Sequence, residues 1–223
     1  MGFDVKITTF SSILDLIAPF PCMGCGRLGS PLCECCKKHN IQAIKKICPR
    51  CRNTLNKCSC KNKVYAVGYR DGVLKRLTED YKYKSIRKIA EILAEFLDTA
   101  IPCDLQNVIV VPLPTISKHI RERGFDHTLL LAKKLAKRRK WKIERIFRRK
   151  NKTVQVGASG DLRKKQAKEA YEVVREIDRK KIYLLLDDVW TTGASMEAAI
   201  DLVKKAGAIK VASAVILMPP KED

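Results

Sequence analysis

Much that would place this chain of 223 residues elsewhere is missing from it. No apolar run is long enough to cross a bilayer and no secretory leader is visible, so a soluble, cytoplasmic protein without a membrane span is expected. Carboxylates are scarce: 24 Asp and Glu stand against 45 Lys and Arg, a net charge of +21. Such a field repels cations and favours polyanions, whether nucleic acid, an anionic membrane or phosphorylated metabolites. Abundant lysine and glutamate also mark heat-stable proteins, so charge alone does not choose between DNA binding and heat stability. No side chain stands out as a nucleophile. After residue 60 the only cysteine is Cys103, which reads as a core or loop residue.

Cysteine is concentrated instead between Cys22 and Cys60, where nine of the ten lie. Cys22-x₂-Cys25 is followed by Cys33-x₂-Cys36, then Cys48-x₂-Cys51 by Cys58-x-Cys60. Two thiolates two residues apart grip one face of a tetrahedral ion, and a second pair completes it. Two structural Zn²⁺ ions are therefore expected, since all-cysteine sites leave no open position for a reactive water. Short loops favour the sets Cys22, Cys25, Cys33, Cys36 and Cys48, Cys51, Cys58, Cys60. Cross-braced pairing, and Cys35 in place of Cys33 or Cys36, remain alternatives. Disulfides and iron–sulfur clusters weigh less, the former because no secretory signal is present.

The remaining length holds one domain of roughly 150 residues. Its organising stretch is Ile182-Tyr-Leu-Leu-Leu-Asp-Asp-Val-Trp-Thr-Thr-Gly-Ala-Ser195. Five apolar residues predict a buried parallel strand, and Asp187 and Asp188 end it where an open α/β sheet presents its carboxyl edge. Met196, Ala199, Ile200 and Val203 then recur at helical spacing, with Gly207 as the stop. Strand, acids, hydroxyl-rich turn and helix make a phosphate cradle from backbone N–H groups and hydroxyls. The acids suit hydroxyl donors or Mg²⁺, so the implied ligand is a phosphorylated ribose. The plainer alternative is a β-turn-α unit whose Asp and Thr merely cap the helix.

Elsewhere Val64–Tyr69, Val108–Val111 and Val211–Leu217 read as strands, and Ile86, Ile89, Ala90, Leu93 and Leu97 mark a helix. Phe10, Ile13, Leu14 and Ile17 predict a short packing helix. From Lys133 to Lys152 there are twelve cations and one carboxylate, with Trp141 and Phe147 interleaved. That run predicts contact with single-stranded DNA, the alternative being a merely basic surface; Arg138, Arg139 and Arg149 would neutralise the backbone, and Trp141 and Phe147, with Tyr83 from outside the run, would stack on bases. Residues 151–170 are polar and aperiodic, as expected of a flexible loop.

The acidic pair followed by Thr191-Thr192-Gly193-Ala194-Ser195 resembles the 5-phosphoribosyl-1-pyrophosphate (PRPP) motif of type I phosphoribosyltransferases. That resemblance gives Asp187 and Asp188 the ribose hydroxyls and Thr191 to Ser195 the 5′-phosphate. Trp190 is bulkier than usual there and is expected to narrow the entrance. The order of segments is similar to the ComF family, cytosolic proteins linked to DNA uptake in natural competence. It rests on Cys22-x₂-Cys25-Gly26, Leu32-Cys33-x₂-Cys36, Cys48-Pro49-Arg50-Cys51, Tyr81-Lys82-Tyr83, Val111-Pro112-Leu113-Pro114, Arg121-Glu-Arg-Gly-Phe125, Gln155-x-Gly157 and Arg163. It covers nearly the whole chain. The family's usual Asn-Gln after Gly-Phe is Asp126-His127 here, which removes an expected amide donor, and its flexible-loop Asn is Gln166.

This resemblance implies an α/β fold: a five-stranded, type I phosphoribosyltransferase-like parallel sheet with helices on both faces and a small hood. A double zinc ribbon would occupy residues 1–62 and the phosphoribosyltransferase-like domain 63–223. Pro112, Leu113, Pro114 and Thr115 would form the pyrophosphate loop, with Lys82 and Arg123 joining the PRPP set and Mg²⁺ entering with PRPP. The leading expectation is a PRPP-binding, DNA-associated protein assisting uptake or processing of transforming single-stranded DNA, with a competence helicase as partner. The alternative is an active phosphoribosyltransferase moving ribose 5-phosphate to an acceptor, with Asp187 and Asp188 as its catalytic candidates. A third is a regulatory protein that senses PRPP without chemistry.

Overall fold

The computed structural model describes residues 19–42, 44, 46–150 and 170–220. The helix expected over 10–17, and the loop expected over 151–170 save Ala170, lie outside them. After a first helix α1 (Glu34–Gln42) the elements run β1 (Val64–Tyr69), α2 (Gly72–Tyr83), α3 (Ile89–Ala100), β2 (Val108–Pro112), α4 (Ser117–Arg123) and α5 (His127–Arg139). Then come β3 (Lys142–Ile143), β4 (Phe147–Arg149), β5 (Tyr171–Val173), β6 (Ile182–Leu186), α6 (Ala194–Lys205) and β7 (Lys210–Met218).

Five strands form one parallel sheet in the order β1-β7-β6-β2-β3, and β4 pairs antiparallel with β5 beside it. The expected parallel α/β sheet is thus present. Its apolar strands also behave as expected. In β6, Leu184 and Leu186 join one apolar layer with Leu93, Leu97, Leu131 and Leu135, while Tyr183 and Leu185 join the other with Val111, Met196, Ile200 and Val203. Burying each such side chain contributes about 1.5–3 kcal/mol, so a strand buried on both faces anchors α3 and α5 on one side and α6 on the other. A two-residue strand inside a cation-rich run carries no apolar signal, which is why β3 escapes a reading of hydrophobic runs.

β6 is central, and the chain leaves β6 and its neighbour β2 in opposite directions: α6 leads from β6 to β7, while α5 leads from β2 to β3. The connections that leave the carboxyl ends of β6 and β2 therefore part to opposite sides, as at the switch point where open α/β sheets hold ligands. The Leu113 N–H still donates to the Leu186 carbonyl at 2.9 Å, and the Trp190 N–H to the Leu217 carbonyl at 2.8 Å, which pins the segments beyond both strands. No helix among the described residues is long and apolar enough to cross a membrane.

Candidate functional site

The cysteines gather into the two sequential sets, Cys22, Cys25, Cys33, Cys36 and Cys48, Cys51, Cys58, Cys60, with all four sulfurs of each set within 4.8 Å of one another. Cys35 is exposed and outside both. Four sulfurs about 2.3 Å from a tetrahedral ion stand roughly 3.8 Å apart. The Cys25–Cys33 and Cys51–Cys58 sulfur separations of 3.7 and 3.6 Å fit that geometry, and none of these cysteines is in a disulfide. Both sets begin with the same knuckle. The Gly26 N–H returns to the Cys22 carbonyl at 2.8 Å and the Arg52 N–H to the Cys48 carbonyl at 2.8 Å, each from a left-handed residue, φ 78° and 61°. Gly24 must lack a side chain, because a Cβ there would lie 2.6 Å from Cys36 Sγ. Crowding spreads the thiol pKa values. Burial opposes ionisation of Cys22, but the N–H groups of Cys33, Cys25 and Gly24 pull it down to about 6. Hydrogen bonding with Cys33, and then burial, pushes Cys36 up to about 12. Each set can hold one metal ion.

At the carboxyl edge of β6 the second centre forms. Asp188 is buried, and its Oδ2 meets the Lys82 ammonium from the last turn of α2 and His127 Nε2, at 2.9 Å, from the first turn of α5. Burial alone would raise its pKa; the His127 hydrogen bond and the Lys82 charge win and hold it well below the usual carboxylate range. Asp187 has the opposite fate. Burial and the negative charge of Asp188 push it up to about 8, although its Oδ1 accepts the Asp188 N–H at 2.9 Å. The two adjacent carboxyls thus share their environment unequally, one ionised and one holding a proton near neutral pH.

Lys82, Tyr83, Leu113, Pro114, Thr115, Arg123, Asp187, Asp188 and Ser195 border one cleft of about 300 Å³. It is also lined by Ile116, His119, His127, Thr128, Arg149 and Tyr171, none of which the sequence assigned to the PRPP set; Arg149, expected on the DNA backbone, faces this cleft instead. The Thr115 hydroxyl donates to Asp126 Oδ1 at 3.0 Å, and the same oxygen caps α5 by accepting the Leu129 N–H at 3.1 Å. Asp126, in place of an amide, thus acts as helix cap and loop clamp. Arg149 lies over the Tyr171 ring, 5.5 Å from its centre. The missed residues have one sequence signal: His127 stands four residues after Arg123 and at the departure from the family pattern.

Thr191, Gly193 and Ala194 line a smaller hollow that adjoins the cleft at Asp187 and Ser195. Thr192 is exposed, and its Oγ1 accepts the Ala194 N–H at 3.4 Å. Pro112 lies in β2, buried opposite Leu186, and serves the loop from below. Trp190 does not narrow the cleft as expected. It is buried with Met196 and Ile200, and a Cβ on Gly193 (φ 77°) would lie 2.3 Å from its ring. The bulky indole supports the turn from beneath, and only glycine fits above it.

The basic run is likewise reshaped by packing. Phe147 is buried and cannot stack on a base. Arg139 binds Asp98 and donates to the carbonyls of Asp98, Ile101 and Pro102, so it ties α5 to the end of α3. Lys134 and Arg138 pair with Glu91 at 3.1 and 3.6 Å. Lys133, Lys137, Lys140, Lys142, Arg145, Arg148 and Lys150 remain exposed, Arg148 while paired with Glu172 at 2.5 Å.

A family model described as a phosphoribosyl transferase domain matches residues 80–222, which take in every cleft residue and neither cysteine set. No curated protein matches the chain. Among solved structures it is similar to a glutamine phosphoribosylpyrophosphate (PRPP) amidotransferase from B. subtilis complexed with ADP and GMP, at 17% identity and a TM-score of 0.42. That match covers 62% of this chain and spans only 30% of the amidotransferase. It is also similar to a hypoxanthine phosphoribosyltransferase from Staphylococcus aureus, at 15% identity and a TM-score of 0.33, covering 62% of this chain and 66% of that one. A purine phosphoribosyltransferase from Pyrococcus horikoshii matches at 16% identity and a TM-score of 0.28, over 72% of this chain and 95% of that one.

Proposed function

Because the chain belongs to the phosphoribosyl transferase domain family, we propose that its cleft binds PRPP with Mg²⁺. The observation that carries this reading is the convergence of Lys82, Thr115, Arg123, Asp187, Asp188 and Ser195, drawn from five separate segments, on one cleft at the switch point. The 5′-phosphate would sit on the N–H groups and hydroxyls of Thr191 to Ser195, at the positive end of α6. Asp187 and Asp188 would take the ribose hydroxyls. Pyrophosphate would lie over Pro112 to Thr115, within reach of Arg123 and Lys82. Mg²⁺ would neutralise pyrophosphate charge. Protonated Asp187 beside ionised Asp188 offers both a donor and an acceptor, which is what two vicinal hydroxyls need.

The ions of the two cysteine sets are zinc in this reading, and residues 1–62 and 63–223 are separate domains. On the ComF resemblance and the net charge of +21, we further propose that this PRPP-binding protein works in the cytoplasm on transforming single-stranded DNA, with a competence helicase as partner. The exposed cations Lys133, Lys137, Lys140, Lys142, Arg145, Arg148 and Lys150 would carry the DNA contact. A transferase is the second reading. Cationic groups beside the pyrophosphate position would favour its departure, and no protein nucleophile is needed for that step.

Calorimetric titration tests the site. PRPP with Mg²⁺ is expected to bind more tightly than ribose 5-phosphate, and Thr191→Val with Ser195→Ala to weaken both ligands. Equal affinity for the two would remove the pyrophosphate assignment; binding of neither would overturn the reading. Pyrophosphate release across a panel of acceptors separates transferase from binding protein.

A further inference from the structure

Within the cleft lies a buried chain of polar contacts that the assignments above leave without a task. The His127 ring, with the residue 5% exposed, stands between Arg123 and Asp188. Arg123 reaches His127 Nδ1 at 2.9 Å, and a guanidinium can only donate, so Nδ1 accepts and the ring proton is on Nε2. Nε2 then donates to Asp188 Oδ2 at 2.9 Å. Lys82 meets the same oxygen. Turning the ring over would replace both nitrogens with C–H groups and lose both bonds. Its backbone is fixed too, since the buried Tyr81 hydroxyl donates to the His127 carbonyl at 2.6 Å. A rigid imidazole therefore joins α4, α5 and the edge of β6.

We propose that His127 is a positioning residue that couples the two ends of the ligand site, holding Arg123 toward pyrophosphate and Asp188 toward the ribose hydroxyls. The proposal rests on the PRPP reading and adds to it how the ends communicate. With Oδ2 committed to His127 and Lys82, Oδ1 is the oxygen turned over to a hydroxyl. Arg123, held by the imidazole on one side and stacked at 5.5 Å on the Tyr83 ring, is oriented before any anion arrives. Binding at either end then finds the other end already arranged, so ordering that two independent subsites would each require is done once.

The experiment is calorimetric titration of the full chain with PRPP, ribose 5-phosphate and pyrophosphate, each with Mg²⁺. In His127→Gln the amide oxygen accepts from Arg123 and the amide N–H donates to Asp188, and PRPP affinity is expected to stay within about threefold of the wild type. His127→Leu removes both bonds and should lower PRPP affinity by about tenfold or more. It should also weaken ribose 5-phosphate and pyrophosphate separately, although the imidazole, with both nitrogens committed, donates to neither. His127→Leu equal to the wild type, His127→Gln no better than leucine, or a loss confined to pyrophosphate would each overturn the coupling. Should His127→Leu fail to fold, Arg123→Gln in the otherwise native chain decides: weakened ribose 5-phosphate binding supports the coupling and unchanged binding overturns it. A wild-type chain that binds none of the three ligands fails the PRPP reading itself, a result no His127 variant is needed to see.

Discussion

Two regions of this molecule crowd groups that repel one another when ionised, and they solve the problem differently. In each cysteine set four thiols lie within 4.8 Å of one another, so an added cation is needed before all four can be thiolates. At the edge of β6 two carboxyls are adjacent, and the chain supplies the remedy itself: Lys82 and the His127–Arg123 pair for Asp188, a proton for Asp187. The comparison teaches that one region is built to take its order from an added ion, whereas the other is preorganised by burial and its own cations.

Removing metal should give the largest difference between them. Two ions per chain are expected on analysis of the purified protein, and a chelator should expose residues 22–60 to protease while PRPP titration of the cleft changes little. Apparent binding energies of structural zinc are about 10–16 kcal/mol, far above any single contact in the cleft. Cys25→Ser, at an exposed position, should release one ion by itself. Fewer than one ion per chain, or loss of PRPP binding in step with loss of metal, would end the distinction.

Asp188→Asn comes next. Lys82 and Asp188 have side chains only 16% and 9% exposed, so the variant leaves a nearly buried ammonium without its counter-charge. Breaking such a pair costs about 3–5 kcal/mol, read as a lowered denaturation midpoint. Lys82→Met with Asp188→Asn should recover part of that loss. If Asp188→Asn were as stable as the wild type, the cleft would not be held together by its own charges.

How far these regions were legible in the sequence follows from the same physics. The cysteine sets were legible because metal sites are built from short-range spacing, and the structure removes the cross-braced and Cys35 alternatives. β6 was legible because burial on both faces demands an unbroken apolar run. The fates of individual polar residues were not. His127 acquires its partners from Arg123 and Asp188, sixty-one residues from the latter. Arg139 looks like a surface cation until Asp98, forty-one residues away, takes it. Trp190 reads as an obstruction until β7 and α6 bury it. Composition specifies that such groups need partners; only the folded chain says which.

The pH response separates the two carboxyls. Asp187 has its pKa raised to about 8 by burial and by Asp188. Between the ordinary carboxylate range and about 8 the native state therefore holds a proton that the unfolded chain has lost, and stability falls as pH rises through that window. Asp187→Asn mimics the protonated form and cannot lose it. Its unfolding free energy should fall less between pH 6 and pH 9 than that of the wild type, by roughly 1–3 kcal/mol. Asp188 runs the other way: its pKa is depressed, so its contribution is present at neutral pH and fades in acid. Identical pH profiles for wild type and Asp187→Asn would show that this carboxyl is not protonated at neutral pH.

The smallest effect probes the bridge between the regions. Arg50, inside the knuckle of the second cysteine set, pairs with Glu197 in the first turn of α6 at 2.5 Å, directly after the turn assigned to phosphate. Two terms oppose each other there. The pair is partly open to water, with Glu197 40% exposed, so its attraction is screened and amounts to about 1 kcal/mol or less. Arg50 Nε is buried without a partner, a standing cost that vanishes with the side chain. Arg50→Ala should therefore change stability by no more than about 1 kcal/mol and PRPP affinity by no more than about twofold. If the cleft stands on its own charges, nothing larger can travel along this contact. A tenfold loss of PRPP affinity in Arg50→Ala, with both ions still bound, would mean that the second knuckle sets the position of the 191–195 turn and that the two regions are one device.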